Sequence, residues 1–284
     1  MRYYVVIPAH NEAQFIEGTL NSLLEQRLKP SRVVVVNDNS SDGTEQIINT
    51  FSAKHDQLQG LTIATGAAHM PGSKVVHAFA QGLALLDDQY DFIVKLDADV
   101  LLPDDYFERI ANAFRNNPKI GVAGGFIYEQ DQQGEWRLNH PMDKKHVRGA
   151  IKAYSKACFK AIGGLKNAMG WDTVDELLAQ YHGFELHTDP KLHVKHLRPT
   201  GSGYNPRARG LQGQAMYRMR YGLGLTLIAS LKMALKQGRW KTFTENLSGF
   251  MAARRKQLPF LIGAPEGDFV RSLRWQNIKR KLLT

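Results

Sequence analysis

Tyr3-Tyr4-Val5-Val6-Ile7-Pro8-Ala9-His10-Asn11-Glu12 and Arg32-Val33-Val34-Val35-Val36-Asn37-Asp38-Asn39-Ser40-Ser41-Asp42-Gly43-Thr44 decide the fold. Each opens with a short apolar run and ends in a polar tip. Such a run, rich in β-branched residues, reads as a strand buried on both faces of a parallel sheet. Between the two strands, residues 11–26 carry Phe15, Ile16, Leu20, Leu23 and Leu24 at helical spacing. The alternation continues outward. Residues 41–51 predict a helix, 61–65 a strand, 74–86 a helix, 91–96 a strand, 103–115 a helix and 121–128 a strand. Strands alternating with helices make βαβ units, so the expected class is α/β, Rossmann-like, with a mostly parallel sheet and flanking helices. Ligands of such sheets bind beyond the carboxyl ends of the strands.

Beyond residue 128 the pattern loosens. Residues 129–150 read as a polar surface excursion, 147–162 as a helix ending at Gly163-Gly164, 172–181 as a short helix and 185–196 as an extended stretch. A loop rich in Gly, Pro and Arg occupies 200–210, and 211–236 has a long helical pattern.

Composition excludes several classes. With 43% hydrophobic and 23% charged residues, the usage is that of a globular protein rather than a disordered or collagenous one. The single cysteine, Cys158, excludes an intramolecular disulfide and a cysteine-built zinc site. The sequence opens on a strand-like run without a basic segment, apolar segment and cleavage site in order, so a cytoplasmic setting is expected. The net charge of +10 is unevenly spread. Residues 1–197 are net −4, and residues 198–284, with 17 Lys+Arg against 3 Asp+Glu, are net +14. That split suggests two parts with different partners.

The chemistry gathers at the strand ends. Strand one leads into Pro8-Ala9-His10-Asn11-Glu12, strand two into Asn37-Asp38 and strand four into Asp97-Ala98-Asp99. Helix capping accounts for Ser41 and Asp42. It does not account for Asp97 and Asp99, two carboxylates that repel unless a cation sits between them. Oxygen ligands suit Mg²⁺ or Mn²⁺, which complete their shell with water and substrate phosphates.

These three motifs, in this order and spacing, resemble the signatures of the family 2 glycosyltransferases, inverting enzymes of the GT-A fold that use nucleotide-diphosphate sugars. The resemblance covers residues 3–200. It implies a GT-A catalytic domain over 1–200, with a nucleotide-sugar half to about residue 125 and an acceptor half from 126, followed by a basic helical extension over 201–284. It implies that Pro8, Ala9 and Glu12 line the nucleoside pocket. Asp38 would accept from the base, which suits a uracil, thymine or guanine imide and so a UDP, dTDP or GDP donor. Lys74 would steady the diphosphate, with a solvated lysine as the alternative. Asp97 would contact ribose or sugar and Asp99 would bind a divalent Mn²⁺ or Mg²⁺.

In the second half, Gly170-Trp171-Asp172-Thr173-Val174-Asp175-Glu176 falls where the family has a Glu-Asp pair opening a helix. Asp172 then matches the catalytic aspartate, with an N-cap as the structural alternative, and Trp171 replaces the usual glutamate. Asp175 and Glu176 share a helical face with Asp172, so one of them could serve in its place. In His193-Val194-Lys195-His196-Leu197-Arg198, His196 matches the histidine that completes the family's metal site. His193 has the opposite parity in an extended segment. Trp171, Asp175, Glu176 and Arg198 are the candidate acceptor or phosphate contacts, with Arg207 and Arg209 as further cations.

Residues 221–231 hold no charge but are too few for a membrane span, which needs about 20. Three readings follow: a helix packed on the catalytic domain, a helix lying on an anionic membrane, or a nucleic-acid surface. No aromatic-interleaved nucleic-acid module is visible. The expected activity is metal-dependent, inverting transfer of a sugar to an acceptor hydroxyl of a sugar or lipid-linked acceptor, for cell-surface polysaccharide, lipopolysaccharide or glycolipid. Two other classes are a non-catalytic nucleotide-sugar binder, with Trp171 marking a damaged site, and a nucleotidyltransferase. The latter needs a glycine-rich phosphate loop after strand one, and Pro8-Ala9-His10-Asn11-Glu12 is not one.

Overall fold

The computed structural model describes residues 1–65, 72–139, 145–198 and 210–282. In the first half, β1 (Tyr3–Ala9), α1 (Ile16–Leu24), β2 (Arg32–Asp38), α2 (Thr44–Lys54), β3 (Leu58–Ile63), α3 (Ser73–Leu83), β4 (Phe92–Leu96), β5 (Val100–Leu101) and α4 (Tyr106–Asn116) follow one another. Next come β6 (Ile120–Gln130), β7 (Trp136–Leu138), β8 (Ile151–Ser155), α5 (Lys156–Ala161), α6 (Trp171–Tyr181) and β9 (Glu185–His196). Four helices close the chain: α7 (Leu211–Arg218), α8 (Gly222–Gln237), α9 (Trp240–Arg255) and α10 (Ala264–Leu282).

The strands form one sheet in the order β3-β2-β1-β4-β8-β6-β9-β5, with β7 paired to β6. β1, β2, β3 and β4 run parallel, as do β6 and β9; β8 lies antiparallel between β4 and β6. Alternate side chains fill two apolar layers. Tyr3, Val5, Val33, Val35, Phe92 and Val94 pack with α1, α2 and α4. Tyr4, Val6, Val34, Val36 and Ile93 pack with α3, α5, α6 and residues of α7 to α10, among them Met216, Leu225, Phe250 and Val270. Both faces of the central strands are therefore dry, which is why their sequence is continuously apolar rather than alternating.

Three expectations are corrected. The helix expected over 147–162 is strand β8 followed by the short α5. Val147, Ile151, Tyr154 and Cys158 have helical spacing, but Ile151 and Ala153 also alternate with Lys152 and Tyr154, and pairing along β4 selects the strand. Residues 129–150 are not wholly irregular, because β6 runs to Gln130 and turns into β7. The helical pattern over 211–236 breaks into α7 and α8 at Arg220, whose φ is +57°. Arg220 N–H bonds the Tyr217 carbonyl at 2.9 Å, and its guanidinium lies over the Phe260 ring, 3.7 Å from the centroid.

Candidate active site

The tips of β1 and β2 are laced together. Asn11, in the left-handed region at φ +54°, accepts from Ser41 N–H at 2.8 Å on its Oδ1 and donates its own N–H to Ser40 Oγ at 2.9 Å. Glu12 N–H bonds Thr44 Oγ1 at 2.8 Å, and Asp42 takes the N–H groups of Ala13 and Thr44 at 3.1 and 3.0 Å. Asn11 tolerates that conformation because its short amide bonds locally. The cap of α2 is Gly43, without a side-chain capping bond, so Asp42 serves in this lacing just ahead of the helix, and the lacing shapes one wall of a cleft. The cleft has a volume of about 390 Å³, and Pro8, Ala9, Glu12, Asp38, Lys74, Asp97, Asp99 and Arg198 all line it, with His10, Val75 and Ala78.

Asp38 is buried at 6% exposure and accepts from the Thr65 hydroxyl at 2.6 and 2.7 Å and from Thr65 N–H at 3.1 Å. Its own carbonyl accepts from His10 Nδ1 at 2.6 Å. A carboxylate offers about four acceptor sites, so Thr65 does not exhaust it. Lys74 stands in the first turn of α3, whose N-terminal cap is Gly72 at φ +79°. A side chain at Gly72 would be strained by that φ and would press on Ala168 O and Met169 Cα at 3.2 and 3.3 Å. The N-termini of α3 and α6 are thereby held side by side, and Ser73 Oγ bonds Asn167 Oδ1 at 2.6 Å.

Asp97, Asp99 and His196 come together across more than 95 residues of sequence, with one ligating atom of each within 4.8 Å of the others. His196 Nε2 lies 3.3 Å from Asp99 Oδ1, and Nδ1 lies 3.1 Å from Glu129 Oε1. A carboxylate behind the second imidazole nitrogen fixes ring orientation, as it does for metal-binding histidines generally. Burial pulls the His196 imidazole down, but the bonds to Asp99 and Glu129 outweigh it and raise it above its ordinary range. Two carboxylates and an imidazole are a fitting donor set for Mn²⁺, or with more water for Mg²⁺. His193 is exposed, its ring tilted against Tyr128 at 4.4 Å between centroids, and bonded to the Pro190 carbonyl, so it is turned away.

Glu12 accepts from Arg198 Nη2 at 2.6 Å, closing the cleft between residues 186 apart. Burial and then Asp99 push its carboxyl from the ordinary 4.5 to about 7, against the pull of Arg198. Between those values the folded chain holds a proton that the unfolded chain has released. Stability therefore falls as pH rises from about 4.5 to 7. Glu12→Gln should flatten that part of a urea-unfolding pH profile, and an unchanged slope would assign it to other groups.

The second half supplies a different cluster. Asp172 occupies the first turn of α6, one-third exposed. The cap is Gly170, with no side-chain capping bond, so Asp172 is not held as an N-cap. It does not line the 390 Å³ cleft itself but adjoins it. Ala150 O accepts the Asp97 N–H at 2.8 Å, and a Cβ on the neighbouring Gly149 would meet Asp172 Cβ at 3.3 Å and Trp171 Cζ2 at 3.1 Å.

Asp175, Glu176 and Trp171 are corrected as acceptor or phosphate contacts, and neither acid can stand in for Asp172. Asp175 is 1% exposed and held by Lys152 Nζ at 2.8 Å and by the Tyr154 hydroxyl. Glu176 accepts from Val147 N–H at 2.8 Å and His146 Nδ1 at 2.7 Å, with Lys152 Nζ at 3.3 Å. Both carboxylates are consumed by buried partners. Trp171 is buried with Lys95 and Lys152 ammonium groups 5.4 and 5.8 Å from its ring. Arg198 remains in the cleft, and Arg207 and Arg209 lie outside the described residues. Lys95, Lys152 and His146 were not singled out from sequence. The visible signal for the first two is a lysine inside an otherwise apolar strand.

A cleft at the carboxyl ends of parallel strands, lined by paired aspartates and cations, defines a site for a phosphorylated ligand in an α/β protein. Residues 4–172 match the family described as Glycosyl transferase family 2. The chain belongs to that family. It is 28% identical over 121 residues to poly-beta-1,6-N-acetyl-D-glucosamine synthase of Staphylococcus epidermidis and 27% identical to that of Staphylococcus aureus (strain COL). The aligned stretch is 42% of this chain and 27% of each relative, so the chain matches about a quarter of their length. Among solved structures it is similar to the mannosyltransferase PcManGT from Pyrobaculum calidifontis in complex with GDP-Man and Mn²⁺. There the TM-score is 0.56 at 17% identity, over 98% of this chain and 80% of that one. It is also similar to S. aureus TarS 1-349 in complex with UDP-GlcNAc, with TM-score 0.57 at 18% identity over 82% and 67% of the two chains. The fold is GT-A, α/β with a C-terminal helical extension.

Proposed function

We propose that this chain is a metal-dependent inverting glycosyltransferase that moves a sugar from a nucleotide-diphosphate donor to an acceptor hydroxyl. The observation that carries the reading is the convergence of Asp97, Asp99 and His196 in one cleft with Glu12, Asp38, Lys74 and Arg198. Family membership supports it, as do the nucleotide sugars named with the similar structures. Pro8, Ala9 and Glu12 line the nucleoside side, and Asp38 takes the base imide of a UDP, dTDP or GDP donor. Asp97 meets ribose or sugar. A divalent Mn²⁺ or Mg²⁺ held by Asp99 and His196, when bound, stabilises the charge on the leaving diphosphate. Lys74 and Arg198 add cationic charge on the same side. Asp172 takes the proton of the acceptor hydroxyl as it attacks the anomeric carbon. One base and one in-line displacement invert that centre.

The test is ligand-dependent stability. Mn²⁺ with a nucleoside diphosphate should raise the unfolding midpoint, in proportion to affinity. Asp99→Asn should lose the Mn²⁺-dependent part, and equal stabilisation of both proteins would remove Asp99 from the metal site.

The division of labour follows the charge. Residues 1–200 carry donor and base, and residues 201–284 face an anionic membrane that presents a lipid-linked acceptor, for cell-surface polysaccharide, lipopolysaccharide or glycolipid. Among the described residues no helix is long and apolar enough to cross a membrane. One side of α8, with Leu225 and Ala234 buried, packs among α7, α9 and α10, while Leu223, Leu227, Leu231 and Leu235, four residues apart, are exposed. Lys232 and Lys236 border that row. A second copy would oppose like charge, whereas an anionic lipid surface complements both the leucines and the cations. Leu227→Glu with Leu231→Glu should abolish sedimentation with vesicles of mixed neutral and anionic phospholipid. Unchanged sedimentation would overturn the membrane reading.

A further inference from the structure

His146 is 5% exposed, and its Nε2 is a buried nitrogen without a hydrogen-bond partner among the described residues. Buried polar atoms are nearly always bonded, so an orphan aimed at a reactive group needs a reason. Nδ1 faces Glu176 Oε2 at 2.7 Å, and Nε2 faces Asp172 Oδ2 at 3.8 Å. Asp172 and Glu176 are four apart on α6, so the imidazole lies between two carboxylates of one helical face.

The protonation pattern follows from the surroundings. Glu176 also accepts from Val147 N–H and sits 3.3 Å from Lys152 Nζ. Burial would raise its carboxyl, but Lys152 and His146 outweigh that and hold it below the ordinary range. Glu176 is therefore the anion, and Nδ1 of His146 carries the proton. Nε2 is left as a lone pair pointing at a second acceptor. Two acceptors facing each other at 3.8 Å have no bond to make until a proton arrives. The other charged or titratable groups of this cluster are Lys152 and Tyr154 from β8, Asp175 from α6 and, across Trp171, Lys95 from β4.

We infer that His146 is the positioning residue of the base: the proton that Asp172 takes from the acceptor passes to Nε2 of His146. The inference rests on the reading of Asp172 as the base. The balance is simple. The acceptor O–H bond breaks and its oxygen bonds the anomeric carbon. The bond from that carbon to the diphosphate oxygen breaks, and its electron pair leaves with the nucleoside diphosphate. The proton moves to Asp172 Oδ2 and then to Nε2, giving an imidazolium between Glu176 and Asp172. It returns through Asp172, which is one-third exposed, to solvent as products leave. The base is thus restored to its carboxylate before the next acceptor binds.

The pH profile of kcat tests this. In a coupled pair the apparent ionisation belongs to both groups. His146→Asn keeps a donor for Glu176 but has no basic nitrogen. Its acidic limb should move to lower pH, because the nitrogen that shares the proton is gone. Glu176→Gln, which removes the anion behind the ring, should move the limb the same way by less, and it serves where His146→Asn does not fold. Limbs that stay in place in the folded variants overturn the relay. Asp172→Asn separates the two readings. If it still transfers, the base assignment itself fails. If it does not, while the His146→Asn limb is unmoved, only the relay fails.

Discussion

Asp172→Asn should bind a nucleotide sugar as the wild type does and lose sugar transfer by about 10²- to 10⁴-fold, the usual contribution of a positioned general base. The amide is nearly isosteric, so the packing of Gly149 against the first turn of α6 is kept. Asp172 makes no capping bond there, so the helix start is not weakened by the change. The loss should fall on kcat, because a proton acceptor acts in the transition state, whereas the donor cleft is lined by other residues. Donor affinity from nucleotide titration and kcat from product release are the two measurements. A variant that turns over at the wild-type rate would move the base elsewhere, and Asp175 and Glu176 are closed to that role by their buried partners.

Lys152→Met should cost about 3–5 kcal/mol of unfolding free energy, the range for breaking a buried ion pair by removing one partner. Lys152 is fully buried and its ammonium touches Asp175, Glu176 and the Asp172 carbonyl. Methionine fills the stem volume, so the loss reports charge rather than a cavity. Burial already raises the Asp175 carboxyl against the pull of Lys152. Without the lysine it would take up a proton at still higher pH. The folded variant would then bind more protons than the unfolded chain, so the deficit should shrink as pH falls toward 5. Urea unfolding at two pH values measures both effects. A loss under about 1 kcal/mol, the range of an exposed pair, would show that the cluster is hydrated.

Local pattern and long-range placement divide what the sequence reveals. The strands at 3–7 and 32–36 were legible because a run buried on both faces has few other readings, and both extend only into their polar tips. The tips themselves were legible as chemistry, since paired aspartates after a strand need a reason. β8 was not, because its apolar residues fit a helical and a strand period equally. What decides between them is β4, more than 50 residues earlier. The partner of Glu12 is 186 residues away, and the partners of Lys152 lie on a helix 23 and 24 residues on. No local periodicity encodes such pairings. The break before α8 rests on Arg220 in a left-handed conformation that glycine, not arginine, normally signals.

Lys95 and Lys152 are register partners on adjacent antiparallel strands. Like charges directly opposite one another are ordinarily destabilising. Here the indole of Trp171 faces both ammonium groups. Lys95 is matched by Asp97 on the donor side, and Lys152 by Asp175 and Glu176 on the base side. The ring face thus gives each of the two opposed ammonium groups a cation–π contact. The donor cleft and the buried cluster on α6 therefore share one aromatic face, and a side chain without a ring would leave the two opposed ammonium groups without that contact.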